Sequence, residues 1–169
     1  MNSAAASLSP VSASAYPIRR EEARDLAAID ALVLDAFGPG RFAKTAERIR
    51  EVAALTAGFV VYEGEHLLGS VRLWAVTVGA ARSVFLGPIA VDSQRRSAGL
   101  GGELVLACIE EARAQGLDGV LLVGDPPYFS RFGFEPAPDA VLGGPVDRRR
   151  VMWLALSDVA PVGAVVPVA

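Results

Sequence analysis

Three glycines stand where a helix should begin. In the stretch VDSQRRSAGLGG, Val91 to Gly102, an apolar run ends at Val91, Arg95 and Arg96 follow, and Gly99, Gly101 and Gly102 open a long amphipathic segment. Glycine inside a helix costs roughly 1 kcal/mol relative to alanine. The choice therefore works against stability and makes sense where a ligand must lie directly on the backbone. The unpaired N–H groups of a first helical turn, with the positive end of the helix dipole, suit a phosphate or diphosphate. Two arginines just upstream add positive charge. This stretch points to a phosphate-bearing cofactor; glycines used for tight turning alone are the plain alternative.

Two other glycine loops fail on residue identity. A Walker A loop needs Lys and then Ser or Thr after its last glycine, where this chain has Glu103 and Leu104. The dinucleotide fingerprint needs a glycine where Leu104 stands.

The elements that must hold this loop read out of hydrophobic spacing. Ile18 lies in a short extended segment. Glu21 to Phe37 reads as a helix with Leu26, Ile29, Leu32 or Val33, and Ala36 or Phe37 on one face, ended by Gly38, Pro39 and Gly40. Phe42 to Ala54 reads as a second helix, with Ala46, Ile49 and Val52 or Ala53 along one side. Phe59 to Glu63 and Leu67 to Val78 read as strands joined by the turn Glu63 to His66, and Val84 to Val91 as a further strand. Gly99 to Gln115 is the central helix, with Leu104, Val105, Cys108, Ile109 and Ala112 inward and Gly116 as its cap. Val120 to Val123 is a wholly apolar strand, as expected with both faces covered. Asp125, Pro126 and Pro127 begin a turn or short helix, and Val151 to Leu156 is a late strand. This order implies a mixed α/β sheet with helices on both faces.

Composition sets the limits. A chain of 169 residues fits one domain with a real core. At 52% hydrophobic and 21% charged it should fold rather than stay disordered. A net charge of -3 gives no basic footprint, so no nucleic-acid partner is expected. No apolar run reaches membrane-spanning length, so no membrane partner is expected. The single cysteine, Cys108, excludes an internal disulfide and a cysteine-based zinc cluster, and suits a reducing cytoplasm. No metal is expected. Residues 1–15 are small and polar, without a basic start or an apolar run, and read as a disordered tail rather than a secretory signal. Residues 16–157 read as the folded domain. Residues 158–169 read as a C-terminal tail or edge strand, since Pro161 and Pro167 argue against a central one.

At the glycine loop the chain resembles a known family. QRRSAGLGG is similar to the acetyl-CoA loop of the GNAT superfamily of N-acetyltransferases, whose pattern Arg/Gln-x-x-Gly-x-Gly/Ala is met by Arg96, Gly99 and Gly101. LGPIAVDS precedes it. LLVGDPPYFSRFGFEPA, Leu121 to Ala137, follows and resembles the family's second cofactor-side segment, including its Gly-Phe pair at Gly133 and Phe134. AFGPGRF, Ala36 to Phe42, together with VGDPPYFSRFGF resembles a bacterial subgroup of predicted acetyltransferases. The resemblance runs from Ile18 to Leu156.

The resemblance implies a GNAT-like α/β fold: a mixed, mostly antiparallel sheet with a splay between two parallel strands and helices on both faces. It implies acetyl-CoA as co-substrate and transfer of its acetyl group to a primary amine by direct attack in a ternary complex. Backbone groups of Ile89, Ala90 and Val91 would take the pantetheine arm. N–H groups from Arg96 to Gly102 (through Ser97, Ala98, Gly99, Leu100 and Gly101), with Arg95 beside them, would take the diphosphate. Phe129 joins the cofactor contacts. A backbone N–H at the strand break would stabilise negative charge on the acyl oxygen.

Many members place a tyrosine four residues before the Gly-Phe glycine as the acid for the leaving thiolate; here that position is Phe129, and the hydroxyl is on its neighbour Tyr128. Tyr128 is the candidate acid, against a role as an amphipathic rim residue. Asp125 is the candidate base or amine orienter, against helix N-capping. Asp92 and Ser93 read as loop-shaping, Glu63, Glu65 and His66 as solvated, Trp74 and Cys108 as core. Arg72 beside Trp74 is a candidate acceptor-site residue, and Arg148 to Arg150 read as a solvated edge or a carboxylate contact. The departure at Phe129 leaves a second reading: a weakly active or inactive acyl-CoA-binding sensor or interaction module. Longer acyl chains are a third, because loop contacts do not report acyl length. The acceptor is a small-molecule or peptide amine whose identity the sequence leaves open. Paired subunits are common among relatives, so a homodimer fits the resemblance.

Overall fold

The computed structural model describes residues 16–94 and 99–169. The expected tail over residues 1–15 and the expected cofactor contacts Arg95, Arg96, Ser97 and Ala98 lie outside the described residues. In chain order the elements are β1 (Ile18–Arg20), α1 (Leu26–Phe37), α2 (Thr45–Val52), β2 (Leu55–Glu63), β3 (His66–Val78), β4 (Ala81–Val91), α3 (Leu100–Ala114), β5 (Gly119–Val123), α4 (Pro126–Phe129), β6 (Glu135–Pro136), β7 (Ala140–Val141), β8 (Val151–Ala155) and β9 (Gly163–Pro167). The sheet runs β1-β2-β3-β4-β5-β8-β6. Along that path every pair is antiparallel except β4 and β5, which are parallel.

Strand alternation explains the layers, because successive side chains point to opposite faces. Val84 and Leu86 of β4, with Val120 and Leu122 of β5, pack with Leu104, Val105 and Cys108 of α3. Phe85 and Leu121 point the other way, into a cluster with Ile49 of α2 and Trp153 of β8. On that second face α1 packs Ile29 and Val33 against Val60, Leu67 and Ala90. All five residues expected on the inner side of α3 are buried. The helix closes as expected: Gly116 takes φ +66, its N–H donates to Arg113 O at 3.0 Å, and Leu117 N–H reaches back to Ala112 O at 3.2 Å. β9 pairs antiparallel with the far end of β3 from Val76↔Pro167 to Val78↔Val165, so the C-terminal segment does supply a strand.

The helix boundaries differ from the sequence expectation. α1 starts at Leu26 rather than Glu21. The Glu21 N–H donates to Gly58 O at 2.9 Å, holding the chain extended beside β2. A 3-10 turn over Ala23–Asp25 then intervenes. The buried Asp25 carboxylate accepts from the Glu22 N–H, from both Arg19 Nη atoms and from the Tyr62 hydroxyl, all between 2.7 and 2.9 Å. The second helix is shorter than Phe42 to Ala54: a 3-10 turn covers Pro39–Ala43, Lys44 is extended, and α2 ends before an extended Ala53. Ala53 is buried while Val52 faces out, and Leu26 and Phe37 are half exposed rather than inward. β2 and β4 begin earlier than expected because their cross-strand partners on β3 continue, Leu55↔Trp74 and Ala81↔Val78.

Candidate active site

The parallel pair is brief. β4 and β5 pair only from Ser83↔Gly119 to Phe85↔Leu121. Beyond Phe85 the register of β4 with β3 slips between Leu73↔Leu86 and Val71↔Ile89. Gly87 sits in that bulge at φ +135, a backbone state that favours glycine, and its carbonyl accepts from Trp74 Nε1 at 2.6 Å. β5 turns away at Val123 into α4. Among the described residues no strand pairs with the outer edge of β4 from Leu86 to Val91. The opening contains two adjoining clefts, of about 560 and 340 Å³, which share Phe37, Ile89 and Phe129.

The larger cleft joins the expected cofactor residues Ile89, Ala90, Val91, Gly99, Gly101, Gly102 and Phe129 to the candidate acid Tyr128, while Leu100 does not line it. Gly99 caps α3 at φ +77, and the first helical bond in the described turn runs from Glu103 N–H to Gly99 O at 3.2 Å. The N–H groups of Leu100, Gly101 and Gly102 therefore precede the helical ladder. The glycines also serve packing, which the sequence did not reveal. A Cβ on Gly101 would lie 3.0 Å from the Tyr128 hydroxyl, and one on Gly102 3.3 Å from the Phe132 ring. Gly99 differs: nothing among the described residues lies within 4 Å of its Cβ position, and its left-handed backbone calls for glycine.

Tyr128 and Phe129 diverge, as adjacent helical residues must. The Tyr128 hydroxyl lies against the start of α3, with the Arg131 guanidinium 4.6 Å from its ring centroid. Burial pushes its pKa up, and Arg131 opposes that rise. Phe129 is the residue between the two clefts. Its ring lies over Gly124, where a Cβ would stand 2.3 Å from Phe129 Cε2, and it meets Phe134 edge-on at 5.9 Å.

The smaller cleft lies between Gly87 and Pro88 of β4 and Leu122 and Val123 of β5, with Asp125, Arg41, Lys44, Arg50 and Arg150 around it. Asp125 does not cap α4 through its side chain; the Tyr128 and Phe129 N–H groups instead bond its carbonyl, at 3.1 and 3.0 Å. Its exposed carboxylate is left on the cleft. Arg150 donates from Nε to Gly124 O at 3.2 Å, whereas Arg149 pairs with Asp147. Arg72 is committed elsewhere, in a two-pronged pair with Glu21 at 3.0 and 3.0 Å, and Glu21 in turn lies over Gly58. Trp74 is partly rather than fully buried. His66 is exposed and pairs with Asp92 at 2.8 Å, and Asp92 also accepts from Gln94 N–H, which shapes the loop as expected. Cys108 is buried, and that burial pushes its thiol pKa well up.

Arg41, Lys44 and Arg50 went unnoticed in the sequence. One signal was present: Arg50 falls on the same side of α2 as Ala46, Ile49 and Ala53, a charge inside an otherwise apolar stripe.

A mixed sheet whose two parallel strands part beside a glycine-started helix defines the acetyltransferase class of cleft. The chain belongs to the GNAT family of acetyltransferases: residues 21–134 match the Acetyltransferase (GNAT) family. It is 36% identical over 123 residues to the uncharacterized N-acetyltransferase YhbS of Escherichia coli K12, covering 71% of this chain and 74% of that protein. The crystal structure of the Escherichia coli YhbS in complex with CoA matches with a TM-score of 0.75 and 31% identity, over 89% of this chain and 88% of that one. A GNAT family acetyltransferase from Brucella melitensis in complex with acetyl-CoA matches at 0.72 and 27%, over 91% and 96%.

Proposed function

We propose that the chain moves an acetyl group from acetyl-CoA to a primary amine by direct attack, with both reactants held in the β4–β5 opening. The observation that carries this reading is the junction of two clefts at Ile89 and Phe129, one bordered by the start of α3 and the other approached from α2 and β5. The CoA and acetyl-CoA complexes of the two related structures support the choice of ligand. The residues present fit it. The N–H groups of Leu100, Gly101 and Gly102, which come before the first helical bond among the described residues, are offered to a diphosphate. The free edge of β4 at Ile89, Ala90 and Val91 offers backbone groups to an amide-bearing arm, as to an added strand. Arg95, Arg96, Ser97 and Ala98 complete the loop by the family's pattern. Residues 16–157 carry the transferase, and 158–169 add an edge strand.

Bound acetyl-CoA supplies an activated acyl group as its thioester. The chain's main task is to hold the amine against that group, and such positioning alone supplies several kcal/mol. Tyr128 carries the only hydroxyl among the described residues lining the two clefts; from its place beside Gly101 it has to turn toward the Ile89–Phe129 junction to donate a proton to the leaving thiolate. Asp125 orients the incoming ammonium or takes its proton through water.

A thiol-release assay with acetyl-CoA and a mixed panel of primary amines tests the reading. Release that depends on the amine is expected. Tight CoA binding without release across the panel favours the binding-module reading, which rests on Phe129 standing where relatives carry a tyrosine.

A further inference from the structure

The smaller cleft carries a charge pattern unlike that of the whole molecule. The chain has a net charge of -3, yet among the described residues four cations, Arg41, Lys44, Arg50 and Arg150, surround this cleft and Asp125 is its only carboxylate. They stand apart from the α3 glycines, which line the other cleft. Arg41 and Arg50 share one acid: Glu47 Oε1 lies 3.2 Å from Arg41 Nη2, and Glu47 Oε2 lies 3.3 Å from Arg50 Nη1. Glu47 does not line the cleft but a small polar cavity behind it. Asp30 and Glu51 line that cavity as well, so the positive balance toward the splay is that of the cleft's own described lining, Arg41, Lys44, Arg50 and Arg150 against Asp125.

Arg50 is built into this wall. Its guanidinium lies over the Phe85 ring at 5.3 Å, and its Nη2 lies 2.7 Å from where a Gly87 Cβ would be, so it occupies room that the bare glycine in the β4 bulge leaves. Its Nε is buried without a hydrogen-bond partner among the described residues. Burial lowers its pKa to about 10, which still leaves it charged at neutral pH. A buried, under-satisfied cation is costly unless an anion completes its surroundings.

Resting on the acetyltransferase reading, we infer that the acceptor is a primary amine that also carries an oxyanion, a carboxylate or a phosphate, which the Arg41, Arg50 and Arg150 guanidiniums receive while Asp125 faces the ammonium end. Guanidinium forks match both oxyanions. A plain diamine meets four cations and a single carboxylate, so the cleft repels it.

The test is thiol release by the full chain with acetyl-CoA and matched acceptors: glycine against glycinamide, 2-aminoethyl phosphate against ethanolamine, and 1,4-diaminobutane. The oxyanion members of either pair should exceed their neutral counterparts in kcat/KM by about tenfold or more, as a charge-assisted contact supplies. The pair with the larger ratio identifies the oxyanion. Arg150→Gln, at an exposed position, should raise KM for the oxyanion acceptors several-fold more than for their neutral counterparts, so that the preference shrinks. Arg50→Gln should shrink it too, with its melting curve checked against the parent. Equal or better use of the amide, ethanolamine or diamine overturns the inference while leaving the transferase reading intact, as does an Arg150→Gln variant with an unaltered preference. No thiol release with any amine overturns the transferase reading and this inference with it.

Discussion

At Gly101 backbone chemistry and packing coincide. Its N–H is one of three that precede the α3 ladder, and its missing side chain admits the Tyr128 hydroxyl. In Gly101→Asp the helix dipole favours the new carboxylate, but its Cβ meets the Tyr128 hydroxyl at 3.0 Å, so the fold should survive with a modest loss of stability. The same charge faces any bound diphosphate, and CoA affinity should fall by about a hundredfold or more, the worth of opposed charges and displaced hydrogen bonds. Calorimetry on the folded variant, with Gly101→Ala as the steric control, checks this; parent-like affinity of Gly101→Asp rules out the cradle. Tyr128→Phe should lower kcat by about a hundredfold and leave KM for acetyl-CoA nearly unaltered, as loss of a general acid does. An acid acts only while protonated, and Tyr128 has its pKa raised. The parent should thus lose activity only above the ordinary phenol range, and the variant should lack that alkaline limb. Equal turnover by both removes Tyr128 from the chemistry. The glycines and the Tyr128–Phe129 exchange were legible in the sequence. The cations on the smaller cleft were not, because a charge inside is explained only by partners distant in sequence: Phe85 and Gly87 lie far from Arg50.

Among elements, those whose signals are local were the most legible. α3 has an uninterrupted inward stripe and a glycine stop, and the hairpin between β2 and β3 turns at Gly64 with φ +59. The start of α1 was hidden because Asp25 is fixed by Arg19 and Tyr62, from β1 and β2, rather than by its helix. Arg19 holds the Asp25 carboxyl well below the usual carboxylate range, with help from the Glu22 N–H and the Tyr62 hydroxyl. Asp25→Asn should destabilise the protein by about 2 kcal/mol, because the carboxylate is buried while its Arg19 partner is 37% exposed and screened by solvent. A depressed folded pKa gives stability that is complete above the unfolded value and lost as pH falls toward the folded one. Denaturant midpoints should therefore differ most near neutrality and converge on acidification below about pH 4, the ordinary aspartate range. A deficit that stays constant down to acid pH removes the ion pair from the account.

The whole molecule is a sheet built to part at one place. Three parallel pairs from Ser83 to Phe85 hold β4 to β5, and the bulge at Gly87 then releases them. The wholly apolar run Val120 to Val123 predicted two covered faces, but the length of the parallel ladder depends on the bulge, which no residue spacing announces. Cys108 lies in the core between α3 and the sheet and reports on its integrity. A thiol reagent such as an aromatic disulfide should label it only as fast as the molecule unfolds, since burial excludes reagent and suppresses the thiolate. Rapid labelling under native conditions would contradict a closed core. The most direct measurement of the central claim is a crystal structure of the chain with CoA. The account predicts diphosphate oxygens within hydrogen-bond distance of the Leu100, Gly101 and Gly102 N–H groups, and the pantetheine arm along Ile89 to Val91. CoA bound on another face, with the β4–β5 opening empty, contradicts it.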